Sequence, residues 1–129
     1  PKGSEITVSK LEFRPGGVFH YRMAFPDGSA MWGRFTYREI VAPERIVWVN
    51  SFADPEGNIV RAPFSPTIPK EILNTITLEE QGGSTVLALH SIPINATPEE
   101  HATFEGMFDS MQIGFGGTFD QLADFLATV

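Results

Sequence analysis

Few residues in this 129-residue chain are of types that do chemistry, and their spacing restricts what they can do. Three histidines, His20, His90 and His101, raise the question of a metal site. None of them belongs to a His-x-x-x-His or Glu-x-x-His pattern, so no metal is expected. His90 would act as a polar anchor or proton carrier if it faced a cavity; the simpler role is a hydrogen-bonded strand histidine. Glu39 continues the alternation of Phe35 and Tyr37, which puts its carboxyl on an aromatic side where burial would make it a raised-pKa acid or base. A bulge near Pro43, or pairing with Arg45, turns it to solvent instead, and this is the favoured reading. Gly16-Gly17 and Gly82-Gly83 read as turns, because neither opens a helix nor precedes Lys-Ser or Lys-Thr. No Gly-x-Ser-x-Gly elbow is present, so no catalytic residue is assigned and no cofactor is expected.

The elements that position these residues are mostly strands. Segments 5–14, 18–25, 30–41 and 45–53 alternate in polarity and end at Pro15-Gly16-Gly17, Pro26-Asp27-Gly28-Ser29, Ala42-Pro43-Glu44 and Asp54-Pro55-Glu56-Gly57-Asn58. A stretch with Pro63, Pro66 and Pro69 follows; it can hold no central strand and is a candidate rim or gate. Segments 70–80 and 84–94 then flank Gln81-Gly82-Gly83, which brings the sheet to about six antiparallel strands. Phe19, Tyr21 and Met23 share one side with Phe35 and Tyr37, opposite His20, Arg22 and Arg34. The segments around Trp48 and Leu87 are apolar on both sides, so their inward face is ambiguous.

From Thr97 to about Thr128 the period changes to that of one long helix. Thr97 with Glu100 forms a capping box and Pro98 fits the first helical position. At ~100° per residue, Phe104, Met107, Phe108, Met111, Phe115, Phe119, Leu122, Phe125 and Leu126 fall within an arc of ~120°. Gly114, Gly116 and Gly117 mark where this helix is expected to bend or break. Strands followed by a single helix predict an α+β domain in which a curved sheet grips that helix.

Composition narrows the partners. Sixteen acidic residues against nine basic ones give a net charge of −7, and the basic residues are scattered, so nucleic acid is not expected. No apolar run reaches the ~20 residues of a membrane span. The absence of cysteine rules out a thiol nucleophile and accords with a cytoplasmic location.

Arg14-Pro15-Gly16-Gly17 ahead of an aromatic-alternating strand, then the run from Tyr37-Arg38-Glu39 through Ala42-Pro43-Glu44-Arg45, resembles the Aha1-like (activator of Hsp90 ATPase homologue) branch of the START/Bet v 1-like superfamily, also called SRPBCC or polyketide cyclase-like. Ser51-Phe52 with Asp54, Gly82-Gly83 with Thr85, Gly114-Phe115 and Phe119-Asp120-Gln121-Leu122-Ala123 extend the likeness over nearly the whole length as a single domain of residues 1–129. The resemblance implies a helix-grip fold with a cavity between the terminal helix and the concave sheet. The family pattern starts with a further strand and two short helices, and this chain opens at its Pro-Lys-Gly-like segment. The expectation is therefore an open sheet edge that favours a homodimer. What the resemblance implies for function is a carrier or sensor of a small hydrophobic molecule, with Phe19, Tyr21, Phe35, Tyr37, Asn74, His90, Met107, Met111 and Phe115 as its lining. The alternatives are a protein-interaction module of Hsp90 co-chaperone type, or a cyclase or hydrolase acting in the same cavity.

Overall fold

Alternating strands joined by tight turns fold into one antiparallel sheet in the computed structural model, which describes residues 3–129. Pro1 and Lys2, part of the opening segment read from the family pattern, lie outside the described residues. The strands are β1 (Glu5–Leu11), β2 (Val18–Ala24), β3 (Ala30–Val41), β4 (Arg45–Ala53), β5 (Ile59–Val60), β6 (Ile72–Gln81) and β7 (Ser84–Pro93). Their order across the sheet is β1-β2-β3-β4-β6-β7, with β5 on the end of β4. Two helices follow, α1 (Pro98–Gly106) and α2 (Phe108–Leu126). This is the helix-grip α+β arrangement: an open, curved sheet with its helices after the last strand.

Turn chemistry fixes the register. Gly16 donates to the Tyr37 carbonyl at 2.8 Å and the Tyr37 amide donates to the Gly17 carbonyl at 3.0 Å, so the Pro-Gly-Gly turn extends the β2–β3 ladder. A Cβ on Gly17 would run into the Glu12 carbonyl, which makes glycine the residue that fits there. One residue beyond Tyr37 the β3–β4 register shifts at a bulge, so Glu39 pairs with Val47 and not with the aromatic row. Its carboxylate is half exposed and lies 3.6 Å from Arg45.

Two features differ from the sequence expectation. The segment after Asn58 contributes β5, two residues paired with Phe52 and Ala53 of β4 before the first proline of the loop. The terminal helix divides at Met107 and not at the glycines near 114. There the amide of Met107 reaches back to both Thr103 at 3.2 Å and Phe104 at 3.1 Å, which tightens the turn just after Gly106. Gly114 and Gly116 remain inside α2, where their open surroundings make no demand for a break.

The core lies along β4, where Val47, Trp48, Val49 and Ala53 are buried on both faces; Tyr37, the cross-strand partner of Trp48, and Ala62, Ile68 and Phe104 are buried as well. Helix α1 is anchored by Thr97, whose hydroxyl accepts from the Glu100 amide, while the Glu100 carboxylate accepts from the Thr97 amide, both at 3.1 Å. That carboxylate also meets Arg61 at 3.3 Å, tying the Pro-rich loop to the helix start. Backbone hydrogen bonding at Thr97, and then Arg61, hold Glu100 below the usual carboxylate range. The ends of the molecule are less covered: Val8 and Leu11 on the edge strand β1, and Phe125 and Leu126 on α2, are all more than half exposed.

Candidate functional site

Cross-strand pairing brings Tyr37, Trp48, Asn74 and Ser91 into one row across β3, β4, β6 and β7, on the face that looks toward the helices. Beside the row Phe19, Tyr21 and Phe35 form an aromatic cluster on the same face. Phe35 stacks on Trp48 at 5.1 Å between centroids and meets Phe19 edge-on at 5.4 Å. Tyr21 lies 4.9 Å from Phe19 and 5.6 Å from Phe35, and burial pushes its phenol up to about 12. Tyr37, edge-on to Phe13 at 5.2 Å, is likewise raised by burial. These rings pack against one another as an aromatic wall along the sheet.

The open space lies at the other end of the row. Between β7 and the helices is a groove of about 390 Å³, floored by Leu89 and Ser91 and closed from α1 by Phe104. Helix α2 supplies Phe108, Met111, Phe115 and Phe119, at the i, i+3, i+4 spacing of one helical face, with Gln112 and Gly116 beside them. Apart from Ser91 and Gln112 the side chains are apolar, and none of the lining residues carries a charge.

At the groove floor Ser91 donates its hydroxyl hydrogen to Asn74 Oδ1, while Asn74 Nδ2 donates to the Ile72 carbonyl at 3.3 Å. Asn74 is 2% exposed, so its amide is committed to structure and meets the groove only through Ser91. Of the residues expected to line the cavity, Met111 and Phe115 do; Phe19, Tyr21, Phe35 and Tyr37 form the aromatic wall further along the sheet. Met107 sits half-buried at the joint between the helices.

His90 is placed differently from the expectation. It pairs with Thr75 and is exposed on the outer face, with Leu73 and Ile92, because side chains alternate and Leu89 and Ser91 take the inner face of β7. The buried histidine is His20, stacked on Trp32 at 4.9 Å and bonded through Nε2 to the Asp54 carbonyl at 3.0 Å. The Pro-rich loop contributes nothing to the groove; Pro69 and Lys70 border a separate hollow of about 70 Å³ beside Tyr21 and Gly33. Leu89, Ser91, Phe104, Phe108, Gln112, Gly116 and Phe119 line the groove without having been expected there; Phe104, Phe108 and Phe119 lie on the apolar helix stripe, and the signal for Leu89 and Ser91 is the two-residue period of a strand with two apolar faces.

Residues 4–127 match the family model described as activator of Hsp90 ATPase homolog 1-like protein. The chain belongs to that family. Its fold is shared with protein Ms6760 of Mycobacterium smegmatis, at 22% identity and a TM-score of 0.75, over 99% of this chain and 72% of that one. A protein of Arthrobacter aurescens, solved by NMR, is 26% identical with a TM-score of 0.72, over 94% of this chain and 64% of that one. One of Staphylococcus epidermidis gives 21% and 0.61, over 87% and 64%. A search of the curated proteins found no match. The fold of this family is one that generally binds hydrophobic ligands. Among the described residues no helix is long and apolar enough to cross a membrane.

Proposed function

We propose that this domain binds a small hydrophobic molecule in the groove between α2 and β7, as a carrier or sensor in a cytoplasmic setting. The observation that carries the reading is the groove itself, about 390 Å³ lined by Leu89, Phe104, Phe108, Met111, Phe115 and Phe119. That volume lies within the range of small-molecule sites, and an apolar lining with few polar groups is their usual composition. Met111 and the rings around it suit cargo of variable shape. Turnover has no support from the same surface, because no acid or base lines it and Glu39 pairs with Arg45 away from the groove.

Fluorescence titration with the neutral apolar dye N-phenyl-1-naphthylamine tests the proposal. Saturable enhancement is expected, weakened at least tenfold by Met111→Asp and unaffected by His90→Ala. Failure of the dye to bind, or binding indifferent to Met111→Asp, would count against the groove. A second reading, a protein-interaction module, rests on the family description and on the exposed Leu122, Phe125 and Leu126 at the end of α2. Chemical-shift changes confined to these residues on adding an Hsp90 middle domain are its expected sign.

A further inference from the structure

Resting on the ligand-binding reading above, we infer that the groove selects an uncharged apolar molecule carrying a hydroxyl donor, and that Ser91 is the residue that recognises it. Asn74 fixes the polarity of this contact. Its Nδ2 is held by the Ile72 carbonyl, which leaves Oδ1, a pure acceptor, facing Ser91. The single hydroxyl hydrogen of Ser91 is thereby spent on Asn74. What Ser91 Oγ presents to the groove is lone pairs, and a lone pair is satisfied only by a donor.

The surroundings give the rest of the ligand's character. Ser91 is the only polar group on the groove's sheet side, with Leu89 on its own strand and Met111 and Phe115 across from it. No lysine, arginine or histidine lines the space to meet a carboxylate, and the net charge of −7 repels an anion approaching it. A ligand carbonyl or carboxylate oriented at Ser91 would meet an acceptor head-on. A phenol or alcohol on an apolar ring system meets a hydrogen-bond partner at Ser91 and mostly apolar side chains along its length, the other polar side chain of the lining, Gln112, being exposed on α2. Asn74 suits this role because a buried residue with both a donor and an acceptor can be held by the backbone while orienting a neighbouring hydroxyl.

The test is a matched pair of probes, 2-naphthol and 2-methoxynaphthalene, which differ in the donor hydrogen, together with 2-naphthoate as the anion. Affinities are read by NMR from the Met111 methyl shift in the wild type, Ser91→Ala and Ser91→Thr. The wild type is expected to prefer 2-naphthol over its methyl ether by about three- to tenfold, the worth of one hydrogen bond, and to bind the naphthoate most weakly. Ser91→Ala should erase the preference while still binding both neutral probes, and Ser91→Thr, which keeps the hydroxyl, should restore it. Equal affinity of the two neutral probes in the wild type, or a preference that survives Ser91→Ala, overturns the inference and leaves the groove standing. If none of the probes moves Met111, the ligand-binding reading falls and the selectivity falls with it.

Discussion

The ring of Tyr21 lies over Gly33, its cross-strand partner, in the space a side chain there would fill. A Cβ built on Gly33 would collide with the Tyr21 ring, and moving that ring aside would break its contacts with Phe19 and Phe35. Gly33→Ala is therefore an overpacking change in the aromatic wall. It is expected to cost about 1–3 kcal/mol, measured by urea denaturation, and to displace the Tyr21 ring resonances. Unchanged stability and unchanged Tyr21 shifts would contradict the packing.

Tyr21 also sets an alkaline limit. Its phenol ionises near 12 in the folded chain against about 10 when unfolded. Between those values the unfolded state has lost a proton that the folded state keeps, so stability falls as pH rises through the window and is unaffected below it. Tyr21→Phe should flatten this segment of the stability–pH curve. Tyr37, shifted in the same direction by burial, should leave a smaller residual slope.

The start of α1 gives an acid-side counterpart. Glu100 is held below its ordinary value, first by the Thr97 backbone amide and then by Arg61, so its contribution is present above the unfolded value of about 4.3 and is lost as pH falls through the folded one. Thr97→Ala should cost about 1 kcal/mol as the loss of a helix cap. Glu100→Gln should remove part of the acid dependence; an acid limb identical to wild type would show that the capping box does not couple to folding.

Ser51 is buried, and its hydroxyl has no hydrogen-bond partner among the described residues. A buried unsatisfied hydroxyl is destabilising, so Ser51→Ala is expected to leave stability unchanged or raise it by up to about 1 kcal/mol. A loss of that size in thermal unfolding would mean that the hydroxyl is bonded in solution.

The frame of this fold was legible because its local signals agree. β3 and β4 have the bounds that alternation and turn residues predicted, Ala30–Val41 and Arg45–Ala53, and the capping box at Thr97 is formed. Glu39 turned to solvent through a bulge and an ion pair with Arg45, both readable from its neighbours. The site was less legible. The helix stripe pointed to Met111 and Phe115, but the aromatic residues of β2 and β3 satisfy one another, which no single-strand pattern reveals. His90 and Ser91 are adjacent on β7, and choosing between them needs the register with β6, where Ser91 faces Asn74 and His90 faces Thr75. The helix joint at Met107 follows from local tightening after Gly106, which competes with a cluster of glycines that has more nominal breaking power.

The four methionines report on the groove directly, since Met111 lines it and Met107 adjoins it, while Met23 and Met31 pair on β2 and β3, toward the edge of the sheet away from β7. Titrating methyl-labelled protein with N-phenyl-1-naphthylamine should shift the Met111 methyl strongly and saturably, Met107 less, and Met23 and Met31 hardly at all. A Met111 methyl that stays in place at saturating dye, or one that moves no more than Met23 and Met31, would contradict a ligand site between α2 and β7.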